Sequence, residues 1–227
     1  MAVWKHKNAH DEYPVKSGDY WQVGNHIFLC GDLEGQTNLH EALEEYPPDL
    51  MYADPPWNNG NARSFRTISG VDGEKGRPVE ISTLTKIVLN IPKRLKILAF
   101  IEGGVKQKQM VEDAIISQGG VVGGCWNTHY SRAERPNLLF AADFRKTPIN
   151  DYPPDLEGKS DAVTPQLVLR HYLPKRVIDC CGGLGGTARS AEWWGVASIT
   201  HELSPYRTAE AIKLVAKTAK LTPIKIK

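Results

Sequence analysis

The run Arg176-Val177-Ile178-Asp179-Cys180-Cys181-Gly182-Gly183-Leu184-Gly185-Gly186-Thr187 reads as a short apolar strand, a glycine-rich turn and the opening of a helix. Glycines at such a turn let the backbone approach a ligand closely, because no Cβ holds it away. A further strand is expected at 197–201, and Glu202 follows it directly. An acidic side chain at that point can accept hydrogen bonds from both hydroxyls of a ribose. Taken alone, the turn is open to several readings: a tight structural turn, a dinucleotide site, or a site for a nucleoside without phosphates. The GxGxxG spacing that cradles a pyrophosphate is not cleanly met, which suits a ligand lacking that group.

Outward from this turn, strands and helices alternate. Strands are expected at 26–30, 49–53, 95–101 and 121–126, with another extended segment at 137–144. Leu39, Ala42 and Leu43 fall at near-helical spacing and Pro47-Pro48 stops that helix; further helices are expected around 81–92, 105–118, 165–172 and 205–219. Such alternation predicts a largely parallel sheet with helices on both faces. Residues 1–18 read as a flexible or loosely docked arm, and 19–227 as one domain. Two stretches, 58–80 and 145–160, lack periodicity and are expected to be long loops that serve substrate recognition.

Bulk properties narrow the class. At 227 residues the chain suits a single α/β domain, and no apolar run reaches the roughly eighteen residues of a membrane span. Residues 1–10 are charged and polar where a secretory signal needs an apolar core, so a cytoplasmic location is expected. The four cysteines, Cys30, Cys125, Cys180 and Cys181, show no CxxC or Cys/His spacing, so buried thiols rather than a metal site are expected. A net charge of +2 neither demands nor excludes a nucleic-acid partner; position decides. Arg63, Arg66, Lys75 and Arg77 lie in a glycine-rich stretch and are candidate phosphate contacts. The lysines crowding the C-terminus read more simply as a solvated helix face and tail.

Just before that basic stretch stands Asp54-Pro55-Pro56-Trp57, at the carboxyl end of the brief strand 49–53. Ligands gather outside the carboxyl ends of strands in open α/β sheets. The two prolines fix the backbone and aim their flanking side chains. An aromatic amino group is a poor nucleophile, since its lone pair is delocalised into the ring. A carboxylate and a fixed carbonyl that accept its hydrogens push the nitrogen towards tetrahedral geometry, and Asp54 with the Pro55 carbonyl can do so. Trp57 offers a flat face to a base removed from its stack, an interaction worth roughly 1–3 kcal/mol.

With these segments in hand the chain resembles the beta-order S-adenosylmethionine-dependent DNA amino-methyltransferases, in which the catalytic motif precedes the cofactor motif. The resemblance is carried by Gly18-Asp19-Tyr20-Trp21-Gln22-Val23-Gly24 leading to Cys30-Gly31-Asp32, by Asp54 to Trp57, by the run 161–169, and by the run 179–202. It implies a single Rossmann-like methyltransferase domain with a mostly parallel seven-stranded sheet. It implies S-adenosyl-L-methionine as cofactor, with Asp32 at the adenine, Asp179, Cys180, Cys181, Gly182, Gly183 and Gly185 along the methionine part, and Glu202 on the ribose. Asp54 serves catalysis and borders the cofactor. An Asp-first, Trp-last motif looks most like N6-adenine enzymes, including an RNA adenosine branch, whereas cytosine-N4 relatives usually begin with Ser. Cys180-Cys181 stands where relatives usually show Pro-Phe.

The partner expected from the resemblance is therefore nucleic acid, DNA ahead of RNA, with base flipping into the Asp-Pro-Pro-Trp pocket. Relatives with strict sequence specificity carry a sizeable target-recognition insertion, which this chain lacks outside its two loops. Specificity is then short, relaxed, or supplied by a homodimer or a second subunit. Two alternatives stand beside this reading: an RNA N6-adenosine enzyme, and a catalytically silent relative that uses the fold as a nucleic-acid platform.

Overall fold

The structure is a computed structural model, and it describes residues 7–33, 37–68, 80–130, 135–148 and 150–227. Its strands are β1 (Tyr20–Val23), β2 (His26–Cys30), β3 (Leu50–Ala53), β4 (Leu98–Gly104), β5 (Val121–Tyr130), β6 (Arg135–Asp143), β7 (Arg176–Asp179), β8 (Ala197–Glu202) and β9 (Ile224–Lys225). Its helices are α1 (Lys7–Glu12), α2 (Thr37–Glu45), α3 (Asn59–Ile68), α4 (Ile81–Leu95), α5 (Lys108–Ser117), α6 (Thr164–Tyr172), α7 (Gly186–Trp193) and α8 (Pro205–Ala219). The strands form one sheet in the order β5-β6-β4-β3-β7-β8-β2-β1-β9.

Strands β4, β3, β7, β8 and β2 run parallel, while β6 and β5 on one side and β1 and β9 on the other pair antiparallel. The expected seven-stranded, mostly parallel sheet is thus corrected to a mixed sheet of nine strands among the described residues, within the same Rossmann-like α/β class. Two strands account for the difference. β1 returns on β2 as a hairpin, and two residues of the tail pair with β1. A pairing that short carries no periodicity to read.

The central strands are apolar because both faces are covered. Every residue of β3 and of β4 is buried. On one face, Ile27, Met51, Ala99 and Ile101 pack with Leu43 of α2, Leu89 of α4 and Ile115 of α5. On the other, Tyr52, Phe100 and Val177 pack with Val168 and Leu169 of α6 and Ala191 of α7, while Phe28 and Val23 meet Ala209 and Ile212 of α8. Helix ends are set locally. Ser204 caps α8, its hydroxyl accepting from the Arg207 amide, with Pro205 in the first turn, and Lys220 closes it in the left-handed conformation.

Residues 7–18, expected as part of a loose arm, are packed: α1 lies on α8 with Ala9 and Val15 buried, and Lys213 pairs with Glu12 at 2.8 Å. The start of the expected loop 58–80 is helical, since the Asn58 side chain accepts from the Asn61 amide at 2.8 Å and opens α3. Residues 69–79, including Lys75 and Arg77, lie outside the described residues. The segment 145–160 straps the edge of β5, where the amides of Gly158 and His129 bond to Asn127 and Lys159 and buried Leu156 anchors it. Among the described residues no helix is long and apolar enough to cross a membrane.

Candidate active site

The carboxyl ends of the parallel strands open onto a cavity of about 930 Å3. It sits where the chain order reverses, between β3, followed by β4 on one side, and β7, followed by β8 on the other. Each strand delivers an acid to its wall: Asp32 past β2, Asp54 past β3, Glu102 in β4, Asp179 ending β7 and Glu202 ending β8. A strand such as β3, covered on both faces, is apolar along its length, and the first polar side chain past its end faces the crevice; β8 differs, carrying buried Ser198, Thr200 and His201 before Glu202.

Asp54 is held by two aromatic residues. Trp57 Nε1 donates to Asp54 Oδ1 at 2.9 Å, and the Tyr130 hydroxyl donates to Oδ2 at 3.3 Å. The Trp57 and Tyr130 rings meet edge to face, with centroids 5.3 Å apart. Burial pushes the Asp54 carboxyl up to about 6; the Trp57 hydrogen bond opposes that rise and the charge of Asp161 adds to it. Oδ2, whose hydrogen bond is the longer, is the oxygen better able to take a second donor.

Behind Asp54 lies a chain of buried polar groups. The Tyr52 hydroxyl donates to Glu102 Oε1 at 2.6 Å and meets Thr164 Oγ1 at 2.6 Å, while Asn137 Nδ2 donates to Glu102 Oε2 at 2.8 Å. Burial, reinforced by the nearby charge of Asp54, holds the Glu102 carboxyl far above the usual carboxylate range. The shift favours the neutral form of Glu102, which limits the build-up of a second negative charge beside Asp54.

The glycine turn is organised by the two other acids. Asp179 Oδ1 accepts from the Cys181 amide at 3.0 Å and Oδ2 from Thr187 Oγ1 at 2.6 Å. Burial raises its carboxyl to about 7 in spite of those bonds. Glu202 Oε2 accepts from the Gly183 amide at 2.8 Å and Oε1 from the Ser204 amide at 2.9 Å. Each of these oxygens keeps a second lone pair, so together they can still accept from two vicinal hydroxyls. Glycine is required at 182, where a Cβ would run into the Thr200 side chain.

The cavity wall brings together Asp32, Asp54, Pro55, Pro56, Trp57, Asp179, Cys180, Cys181, Gly182, Gly183 and Glu202. Gly185 is placed elsewhere: its φ of 76° and its contact with Ala211 set the approach of α7 to α8, away from the lining. Arg63 and Arg66 fall on α3, whose neighbouring Asn61 and Ala62 line the cavity. Among the described residues, none of 145–160 lines it. Functional groups of the wall absent from the sequence-based candidates include Tyr130, Glu102, Arg207 and Thr187. Only Glu102 left a signal in the sequence, a carboxyl directly after the apolar run Ile97-Leu98-Ala99-Phe100-Ile101.

Titration of these acids gives a first prediction. An unfolded aspartate ionises near ~4. Asp54 and Asp179, raised to about 6 and about 7, bind protons more tightly when folded, so their contribution to stability is present at low pH. It is lost as pH rises from the unfolded value through the folded one. We expect Asp179→Asn to remove part of the fall in melting temperature of the ligand-free protein between about pH 5 and about pH 8. An unchanged pH slope in that variant would show that Asp179 is already ionised in the folded protein.

No family model and no curated protein matches the chain. Solved structures do. M1.HpyAVI in complex with SAM superposes with a TM-score of 0.56 at 12% identity, covering 86% of this chain and all of that one (100%). TTHA0409 of Thermus thermophilus, assigned as a DNA modification methylase and solved with S-adenosyl-L-methionine, gives 0.56 at 14% identity over 85% of this chain and 95% of that one. The PvuII DNA methyltransferase, cytosine-N4-specific, gives 0.54 at 14% identity over 88% and 93%. At such identities the likeness establishes the fold.

Proposed function

We propose that this chain transfers a methyl group from S-adenosyl-L-methionine to the exocyclic amino group of adenine in DNA. The observation that carries the reading is Asp54, fixed by Trp57 and Tyr130 on the cavity shared with the Asp179–Glu202 turn. The named neighbours, two of them solved with that cofactor, support it.

The residues fit the cofactor chemically. Glu202 offers acceptors to a ribose diol, Asp32 an acceptor to an adenine amino group, and Asp179 a buried carboxyl that a neighbouring cation would ionise. When bound, the cofactor supplies a methyl group on a positively charged sulfur, an electrophile that leaves as a neutral thioether. The protein's task is to present the amino nitrogen. Asp54 Oδ2 accepts one amino hydrogen and the Pro55 carbonyl the other, which turns the nitrogen lone pair out of the ring plane. The nitrogen gives up one proton for each methyl gained, and the Asp54 carboxylate receives it. Trp57, on the same turn, stacks on the extruded base and offsets an unstacking cost of a few kcal/mol.

Adenine, rather than cytosine, rests on the Asp-first, Trp-last motif. The PvuII neighbour shows that the same fold also serves the amino group of cytosine. Supplying methyl-labelled cofactor with separate DNA and RNA substrates tests the proposal. Label is expected on DNA. Transfer to RNA alone would move the substrate, and transfer to neither would favour a silent platform.

Substrate engagement makes a separate prediction. Arg63 and Arg66 stand three residues apart on α3, the helix whose Asn61 and Ala62 line the cavity, and Arg77 belongs to the same basic stretch. Neutralising all three should weaken DNA binding and reduce the slope of log K against log salt by about 2–3, close to one for each phosphate that is no longer neutralised. Cofactor affinity should hardly change. An unaltered slope would remove these arginines from the interface.

A further inference from the structure

Arg207 is the cation that the acidic cavity places against its glycine turn. It sits in the first turn of α8, behind the Ser204 cap, and lines the cavity half-buried. A Cβ on Gly183 would stand 2.7 Å from Arg207 Nη2, so the guanidinium lies directly on the turn whose amide Glu202 holds. Its positive charge also acts on Asp54 and on Tyr130 across the cavity.

S-adenosylmethionine brings two positive charges, the sulfonium and the ammonium, and one carboxylate. The positive groups suit a wall built from Asp32, Asp54, Asp161, Asp179 and Glu202. The carboxylate does not. It is repelled by that wall and needs a cation within it. Among the described residues three arginines line the cavity, and Arg207 is the one whose guanidinium lies on the glycine turn. Arg135 is exposed at the start of β6, and Arg189 lies over the outward-facing Trp193 ring, 5.7 Å from its centroid.

We propose that Arg207 is a specificity residue that holds the amino-acid carboxylate of the cofactor, and so makes the site select S-adenosylmethionine over carboxylate-free adenosyl thioethers and sulfonium compounds. The inference rests on the cofactor reading above. A guanidinium fork matches a carboxylate in two parallel hydrogen bonds, and such charge-assisted bonds are the stronger kind.

Calorimetry on the full chain tests this with two probes, S-adenosylmethionine and its decarboxylated counterpart, which keeps the sulfonium, the amine and the nucleoside. The parent is expected to bind the decarboxylated compound at least about tenfold more weakly, by loss of a charge-assisted pair. In Arg207→Gln, affinity for S-adenosylmethionine should fall by about tenfold or more, while affinity for the decarboxylated compound changes less than about threefold. Equal losses for both probes, or none, would overturn the role of Arg207. So would weakened DNA binding with cofactor affinity intact, which would assign the guanidinium to a phosphate. A parent that binds the two probes equally well also overturns this inference while sparing the cofactor site. A parent that binds neither removes the cofactor reading itself. Circular dichroism of the variant excludes unfolding as the source of a loss.

Discussion

Asp54→Ala is expected to transfer methyl groups at least about a hundredfold more slowly than the parent, a barrier increase of roughly 2.7 kcal/mol, and to bind S-adenosylmethionine and DNA nearly as before. The separation follows from where the carboxylate acts. In the proposed mechanism Asp54 acts on the substrate through Oδ2, whereas the ribose is assigned to Glu202, which ends β8 and bonds the Gly183 amide. A group that aligns the amino nitrogen and takes its proton contributes mainly in the transition state, so its loss is felt in turnover rather than in affinity. Trp57→Ala should differ, losing substrate affinity as well as rate. It removes the stacking face and the donor at 2.9 Å that fixes Asp54 Oδ1. Single-turnover rates with tritiated cofactor measure both variants. Full activity in Asp54→Ala would exclude the mechanism proposed above.

Glu202→Ala is expected to weaken cofactor binding by about 30-fold to about 1,000-fold, corresponding to roughly 2–4 kcal/mol for two hydrogen bonds to a charged group. Its carboxylate also organises the turn, so the substitution frees the amides of Gly183 and Ser204 as well. The lost ribose contacts fall on the nucleoside half, which both adenosyl ligands share. The loss should therefore be as large for a carboxylate-free adenosyl compound as for S-adenosylmethionine, in contrast to the selective loss expected at Arg207. Calorimetry of the two ligands reads the difference. Unchanged affinity would mean that the ribose is held elsewhere in the cavity.

The legible part of this site consists of acids placed by sequence-local rules. Asp54 and Asp179 each follow or end a short apolar run that becomes a buried strand, Glu202 ends the strand after the glycine turn, and strand ends face the crevice by topology alone. Glu102 obeys the same rule and was readable on the same grounds. Tyr130 was not. It reaches Asp54 across 76 positions of chain, carried there by a β5–β6 hairpin in which it pairs with Arg135. Arg207 likewise becomes part of the wall only because α8 folds back over the glycine turn.

The fold shows the same division. Central strands and their covering helices follow from apolar patterning, whereas β9 and the docking of α1 depend on partners far along the chain. The helix α3 is an intermediate case. Its asparagine cap is a local signal, but the glycines and charges around it resemble a loop. Gly185 marks the limit of reading glycine-rich turns, since of neighbouring glycines some approach the cavity and one serves helix packing.

The most direct measurement of the central claim is the identity of the modified nucleoside. The purified protein is incubated with duplex DNA and cofactor carrying a deuterated methyl group, the DNA is digested to nucleosides, and the products are separated by mass spectrometry. Deuterated N6-methyldeoxyadenosine is expected from the parent and is expected to be nearly absent with Asp54→Ala. Label on cytosine N4, no labelled nucleoside at all, or equal labelling by Asp54→Ala would contradict the claim.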